Sequence, residues 1–160
     1  MKKSTLYLTR GALIAALYVA LTYVSTVFGL SSGMIQFRIS EMLCVLPLFF
    51  PEAVMGLTVG CLIANLVSGC VVWDIVFGSI ATFIGAICAR AFVKAPERMK
   101  WLATLPTILS NALIVPFVLI YAYGVPDAYY ILMLSVGLGE VACAGIGGSL
   151  LYYSLKKVRF

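Results

Sequence analysis

The stretch AYYILMLSVGLGEVACAGIGGSLLYYSL, residues 128–155, is an apolar run that contains one charged side chain, Glu140, near its middle. It holds no proline and is long enough to cross a hydrocarbon core of about 30 Å as a helix. A charged group at that depth costs about 2.5–3.5 kcal/mol on insertion scales, so such residues are kept for a ligand, an ion or a partner. The run therefore predicts a membrane helix with a buried polar site on it.

The rest of the chain supports the bilayer as solvent. Of 160 residues, 63% are hydrophobic and 11% charged, more apolar surface than a soluble domain of this size can hide. With about 20 residues per span there is room for about six. Turn residues divide the sequence into helices near 8–28, 38–50, 52–69, 74–93, 102–123 and 128–155. The expected class is an all-α integral membrane protein: a six-transmembrane-helix bundle forming one membrane domain over residues 1–160. The second run is short, about 13 residues reaching only about 20 Å, which suggests that the loop before it dips toward the site. Pro47 and Pro51 bend or end that run, and Pro106 and Pro116 should kink the fifth.

Short cytoplasmic loops retain Lys and Arg, which sets an orientation. Six spans place Lys2, Lys3, Arg10, Arg90, Lys94, Arg98, Lys100, Lys156, Lys157 and Arg159 on one side and Arg38 on the other, so both termini are expected to be cytoplasmic. Topology then accounts for the net charge of +5 without a nucleic-acid partner. The first run follows Lys2 and Lys3 and ends in small residues at Ser31–Gly33, as a signal peptide does. Its apolar core is too long for one, and it is expected to stay uncleaved.

Several chemistries drop out. There is no histidine, and Cys44, Cys61, Cys70, Cys88 and Cys143 are scattered without a CxxC spacing, so no metal and no cofactor are expected. The residues Gly137–Ala142 fit a GxGxxA dinucleotide pattern but lie inside an apolar helix with no strand before them, an accidental match. Asp74 and Asp127 stand at helix ends, unlike the paired intramembrane aspartates of a protease. No P-loop sequence is present, so any ATP-driven step needs a partner. The chain is not expected to be an enzyme.

The candidate substrate-binding residues gather toward the side opposite the cations. They are Glu140, Asn111, Asn65, Glu41, Asp74, Arg38 and Trp73. Each has a plainer reading. Arg38 and Glu41 can pair at i,i+3, Asn65 and Asn111 can be interhelical glue, and Asp74 can cap a helix. Trp73, Tyr123 and Tyr129 can stack on a heterocycle or anchor at the interface. Gly137, Glu140, Ala144, Gly147 and Gly148 share a helix face that a neighbouring helix or a flat ligand could approach. Ala12, Ala16 and Ala20 form a stripe at intervals of four, suited to close helix packing either within the bundle or against a partner.

The segments QFRISEMLCVLPL (36–48), PEAVMGL (51–57), GCLIAN (60–65) and DIVFGSIAT (74–82) resemble the QueT family of queuosine-precursor transporters. The resemblance is detailed over the second to fourth helices and rests on length and hydropathy elsewhere. It implies the substrate-binding S component of an energy-coupling factor transporter, which captures a nutrient outside and topples in the membrane to release it inside. The implied partners are a transmembrane coupling subunit and two ATPase subunits, with Ala12, Ala16 and Ala20 as the docking stripe.

The implied cargo is queuine or a 7-deazaguanine such as 7-aminomethyl-7-deazaguanine. Glu140 would then accept the two adjacent N–H donors of the guanine-like edge. Glu41 or Asp74 would hold the ammonium, and Asn65 and Asn111 the carbonyl and ring nitrogen. The alternatives are an S component for another vitamin or heterocycle, and a membrane scaffold that transports nothing.

Overall fold

In the computed structural model, which describes residues 3–30 and 36–158, every regular element is helical. Lys2, Arg159 and the small residues Ser31–Gly33 lie outside the described residues. The α-helices are α1 (Lys3–Val27), α2 (Ala53–Val67), α3 (Val72–Ala91), α4 (Leu105–Tyr121), α5 (Tyr129–Glu140) and α6 (Gly148–Leu155). A π-helix, Val141–Gly147, joins α5 to α6 in one continuous rod. Three 3₁₀ helices complete the set: Ile39–Leu48, Phe92–Lys94 and Glu97–Thr104.

Four helices are long and apolar enough to cross a membrane: Ser4–Val27, Val72–Lys94, Glu97–Tyr121 and Tyr129–Leu155. The shortest has 23 residues, about 34 Å at 1.5 Å per residue. Ile39–Leu48 and Ala53–Val67 are apolar but short. Ten residues at about 2.0 Å and 15 at about 1.5 Å reach roughly 20 and 22 Å, less than the core's thickness. Of the six expected spans, four thus have spanning length. The other two are cut short by local chemistry. Pro47 and Pro51 flank the turn that separates them. A Schellman motif closes α2, with Gly69 at φ 72°, Cys70 N–H on the Asn65 carbonyl and Gly69 N–H on that of Leu66.

The 3₁₀ helix Ile39–Leu48 runs through the middle of the bundle, with eight of its ten residues buried. It packs on α1, α3, α6 and the π-helix. Because it carries the chain back along α1, helices α1 and α2 run parallel and meet through small residues. A Cβ on Gly56 would stand 2.7 Å from the Gly11 carbonyl oxygen, and one on Gly60 2.9 Å from Tyr18 Cβ. Helices α3 and α4 cross just as closely at Gly85, where a Cβ would come within 2.7 Å of Thr107 Oγ1 and 2.8 Å of its Cα. Without a hydrophobic drive between helices in lipid, such close backbone contact is what holds them together.

The two ends of the bundle differ. At one, Glu97 binds Lys100 and Lys156, Arg10 pairs with Glu52 at 3.6 Å and lies over the Phe50 ring, and Arg90 donates to the Pro47 carbonyl at 2.8 Å. The start of α1 and the end of α6 both lie there. The ends of α1, α2 and α4 and the first turn of α3 meet at the other.

Gly85→Val should lower the unfolding free energy by about 1–3 kcal/mol, the usual cost of overpacking. Gly69→Ala, with open space around its Cβ, should cost only the left-handed strain of about 1–2 kcal/mol. Denaturation in mixed micelles checks both, and a Gly85→Val protein as stable as the parent would contradict the crossing described.

Candidate functional site

A cleft of about 330 Å³ opens at the end away from the cations. Thr22 and Thr26 of α1, Gln36 and Arg38, Asn65 and Ser68 of α2, Asp74 of α3 and Tyr123 after α4 give it polar walls, with Val115 and Leu119 opposite. Beneath it is a hollow of about 10 Å³, room for roughly one water, lined by Gln36, Arg38, Asn111, Val115, Val136 and Glu140. Gln36, Arg38 and Val115 line both spaces and so form the partition between them.

Two polar layers surround these spaces. In the outer one, the Asp74 carboxylate lies 3.8 Å from the Arg38 guanidinium and accepts the Tyr123 hydroxyl at 3.0 Å. Asn65 Nδ2 donates to the Asp74 backbone carbonyl at 3.3 Å, tying the end of α2 to the start of α3. Partial burial and the Asp74 carboxylate raise the Tyr123 phenol above its usual pKa, so it stays a donor across the physiological range.

In the inner layer, Asn111 Nδ2 donates to Glu140 Oε1 at 2.9 Å. The Tyr18 hydroxyl donates to Glu41 Oε1. Two buried pairs, Tyr18–Glu41 and Asn111–Glu140, thus join α1 to the 3₁₀ helix and α4 to α5. Among the described residues Glu140 Oε2 has no hydrogen-bond partner, although Glu140 is only 7% exposed. A buried polar atom left unpaired costs about 1–3 kcal/mol, more when charged. Glu140 is also the last residue of α5, where the helix widens to π winding, a feature frequent at functional sites.

The expected residues are sorted by this geometry. Glu140 and Asn111 face the inner hollow, Asn65 and Asp74 line the cleft, and Arg38 borders both. Glu41 lines neither, because its carboxylate turns to the Tyr18 hydroxyl behind the cavity wall. The Arg38–Glu41 pair is not among the described ion pairs. Arg38 precedes the 3₁₀ helix with extended backbone angles, φ −100° and ψ 99°, and its guanidinium goes to Asp74. Asp74 is not the helix cap, since Val71 holds that position.

Trp73 points away from the cleft. It is 61% exposed, stacks on Phe77 and lines an apolar outer groove between α3 and α4 that Tyr129 also borders. Of the three aromatic candidates, only Tyr123 faces the cleft. Ala12, Ala16 and Ala20 lie on the exposed face of α1, while Gly11 and Ala15 face α2.

Tyr18 and Gln36 belong to the site and were not singled out from sequence. Tyr18, Thr22 and Ser25 recur at helical spacing on α1, and all are buried. Thr22 Oγ1 donates to Ser40 Oγ at 2.8 Å, and Ser25 Oγ accepts the Ile39 N–H at 2.9 Å. That stripe of hydroxyls in an apolar helix was the available signal. Among the described residues no group of three acidic or thiol side chains could hold a metal ion.

A family model described as "QueT transporter" matches residues 8–157. A curated relative, "Queuosine precursor transporter QueT" of Lactococcus lactis subsp. cremoris (strain MG1363), is 40% identical over 86 residues, 52% of this chain and 50% of the relative. The chain thus covers about half of that relative's length. No solved structure matches the chain.

Tyr18→Phe removes the hydroxyl that Glu41 accepts and should cost about 1–3 kcal/mol of stability. The same change at Tyr121, which is 82% exposed, should cost nothing measurable. Equal denaturation midpoints for Tyr18→Phe and the parent would remove Tyr18 as the partner of Glu41.

Proposed function

The chain belongs to the QueT transporter family, and on that premise we propose that it is the substrate-binding subunit of a transporter that takes up a queuosine precursor. Its family and its long apolar helices make it a multi-pass protein of the cell membrane rather than an enzyme. The proposed cargo is queuine or a 7-deazaguanine such as 7-aminomethyl-7-deazaguanine. In support, the chain's 40% identical relative carries the name of a queuosine precursor transporter.

The observation that carries the reading is the unpaired, buried Oε2 of Glu140 beneath a polar cleft. A 2-amino-4-oxo heterocycle presents two adjacent N–H donors, and a carboxylate accepts such a pair side by side. Glu140 fills that role once the ligand has displaced the partition. Asp74, in the wall of the cleft, is the partner for an aminomethyl cation, and Glu41 is a partner of Tyr18 rather than a ligand contact. Asn65 and Asn111 offer both donors and acceptors to the rest of the ring.

The remainder of the proposal concerns direction and energy. The chain is taken to pass the membrane six times, with the short helices as two of the passes and both termini cytoplasmic. The cations collected at the end opposite the cleft support this orientation, and the cleft then opens outward. The chain lacks a P-loop, and the energy is assigned to a transmembrane coupling subunit with two ATPase subunits. The exposed stripe Ala12, Ala16 and Ala20 is the proposed contact with that module.

Calorimetric titration of the lipid-reconstituted chain with 7-deazaguanines, thiamine, riboflavin and biotin should give saturable binding for the deazaguanines alone. Binding of another vitamin would keep a transporter subunit and change its cargo, and binding of none would favour a scaffold. Glu140→Gln places a donor against donors and should weaken binding at least about tenfold. Asp74→Asn should weaken the aminomethyl compound while leaving uncharged 7-deazaguanine within about threefold; equal losses for both would remove Asp74 from the ammonium site.

A further inference from the structure

Glu140 can satisfy only the donor side of a base edge; a ring carbonyl beside those donors needs a donor of its own. Three residues stand between the cleft and Glu140: Val115, which is apolar, Arg38 and Gln36. The guanidinium of Arg38 is drawn toward Asp74 on the outer side. Among the described residues no hydrogen bond engages the Gln36 carboxamide. It is a neutral group that both donates and accepts.

The backbone of Gln36 is held where its side chain would be useful. Gly139, the residue before Glu140, lies so close that a Cβ there would collide with the Gln36 carbonyl oxygen. The segment before the 3₁₀ helix therefore rests directly on the α5 backbone beside the carboxylate. The inner hollow is only about 10 Å³, so anything larger than a water that reaches Glu140 must open the partition of Gln36, Arg38 and Val115. Displaced from a fixed backbone, the carboxamide stays at the rim of whatever has entered.

We propose that Gln36 is a specificity-determining residue that donates its amide N–H to the ring carbonyl of a planar oxo-heterocycle whose adjacent N–H donors rest on Glu140. This rests on the reading of the cleft as a substrate site. It adds a second, independent requirement: the ligand must carry an acceptor next to its donor pair. Heterocycles with the same donors and no carbonyl leave the amide unpaired and are rejected.

The test compares 7-deazaguanine with 7-deaza-6-thioguanine, which keeps the N1–H and 2-amino donors and carries a weakly accepting thiocarbonyl in place of the carbonyl, by calorimetric titration of the full chain in lipid nanodiscs. Three proteins are used: the wild type, Gln36→Met, which keeps length and loses the donors, and Gln36→Glu, which replaces a donor by an acceptor. The wild type should prefer the oxo compound at least about tenfold. Gln36→Met should bring the two ligands within about threefold of each other by weakening the oxo compound alone, and Gln36→Glu should reverse the order.

Preference retained in Gln36→Met overturns the proposal and leaves the functional reading intact. So does a wild type that binds both ligands equally. Loss of both ligands alike in both variants also overturns it, since a residue that reads one atom cannot be needed by a ligand lacking that atom. Failure of the wild type to bind either ligand instead removes the functional reading on which it stands.

Discussion

Backbone polar groups in hydrocarbon must find partners within the protein, and here that constraint falls hardest on the ten residues Ile39–Leu48. They occupy the centre of the bundle, where water cannot satisfy them, and they are wound as 3₁₀ helix. Three residues per turn eclipses side chains at i and i+3. Glu41, Cys44 and Pro47 therefore lie along one ridge, all buried. A thin helix of this kind leaves room for neighbours to close in. The last rod does so by widening to π winding, and Gly147 and Gly148 lie against Met42 and Cys44. The tightest helix in the fold packs on the widest, and Glu140 stands where the widening begins.

The polar network follows from the same geometry. A carboxylate at the core of a membrane protein is tolerable only when its oxygens are engaged. Glu41 meets that condition within the protein, through the Tyr18 hydroxyl, and neither of its oxygens is buried without a partner among the described residues. Glu140 meets it for one oxygen only. Two acids of the same type, both buried, are thereby distinguished. One belongs to the structure, and the other keeps acceptor capacity in reserve on the side that faces the cleft. The outer layer divides in the same way, with Arg38 and Tyr123 both committed to Asp74 while the Gln36 amide stays unengaged.

Much of this was legible in the chain. An apolar run with a lone acid at its middle announced a helix at bilayer depth, and the composition announced the solvent. The all-helical class and the four long apolar helices followed from length and hydropathy. So did Glu140, Asn111, Asn65 and Asp74 as residues worth following, because polar groups are rare in such runs. Helical spacing also put Ala12, Ala16 and Ala20 on one face, though not whether that face was turned in or out. The direction of Trp73 was not legible, since an aromatic residue at a helix end suits an interface and a binding site equally.

Sequence by itself determined which groups must be buried and which must be satisfied, because those are costs of transfer that each side chain carries with it. Tertiary structure decided which group satisfies which. The i,i+3 spacing offered Arg38 to Glu41, but Arg38 has extended backbone and lies before the helix, so its charge turns to Asp74 across the cleft. The change from α to π winding at Glu140 and the rest of Gln36 on Gly139 likewise depend on what packs alongside. Pairing is a property of distances between helices, and those distances are set by the glycines at the crossings only once the helices have met.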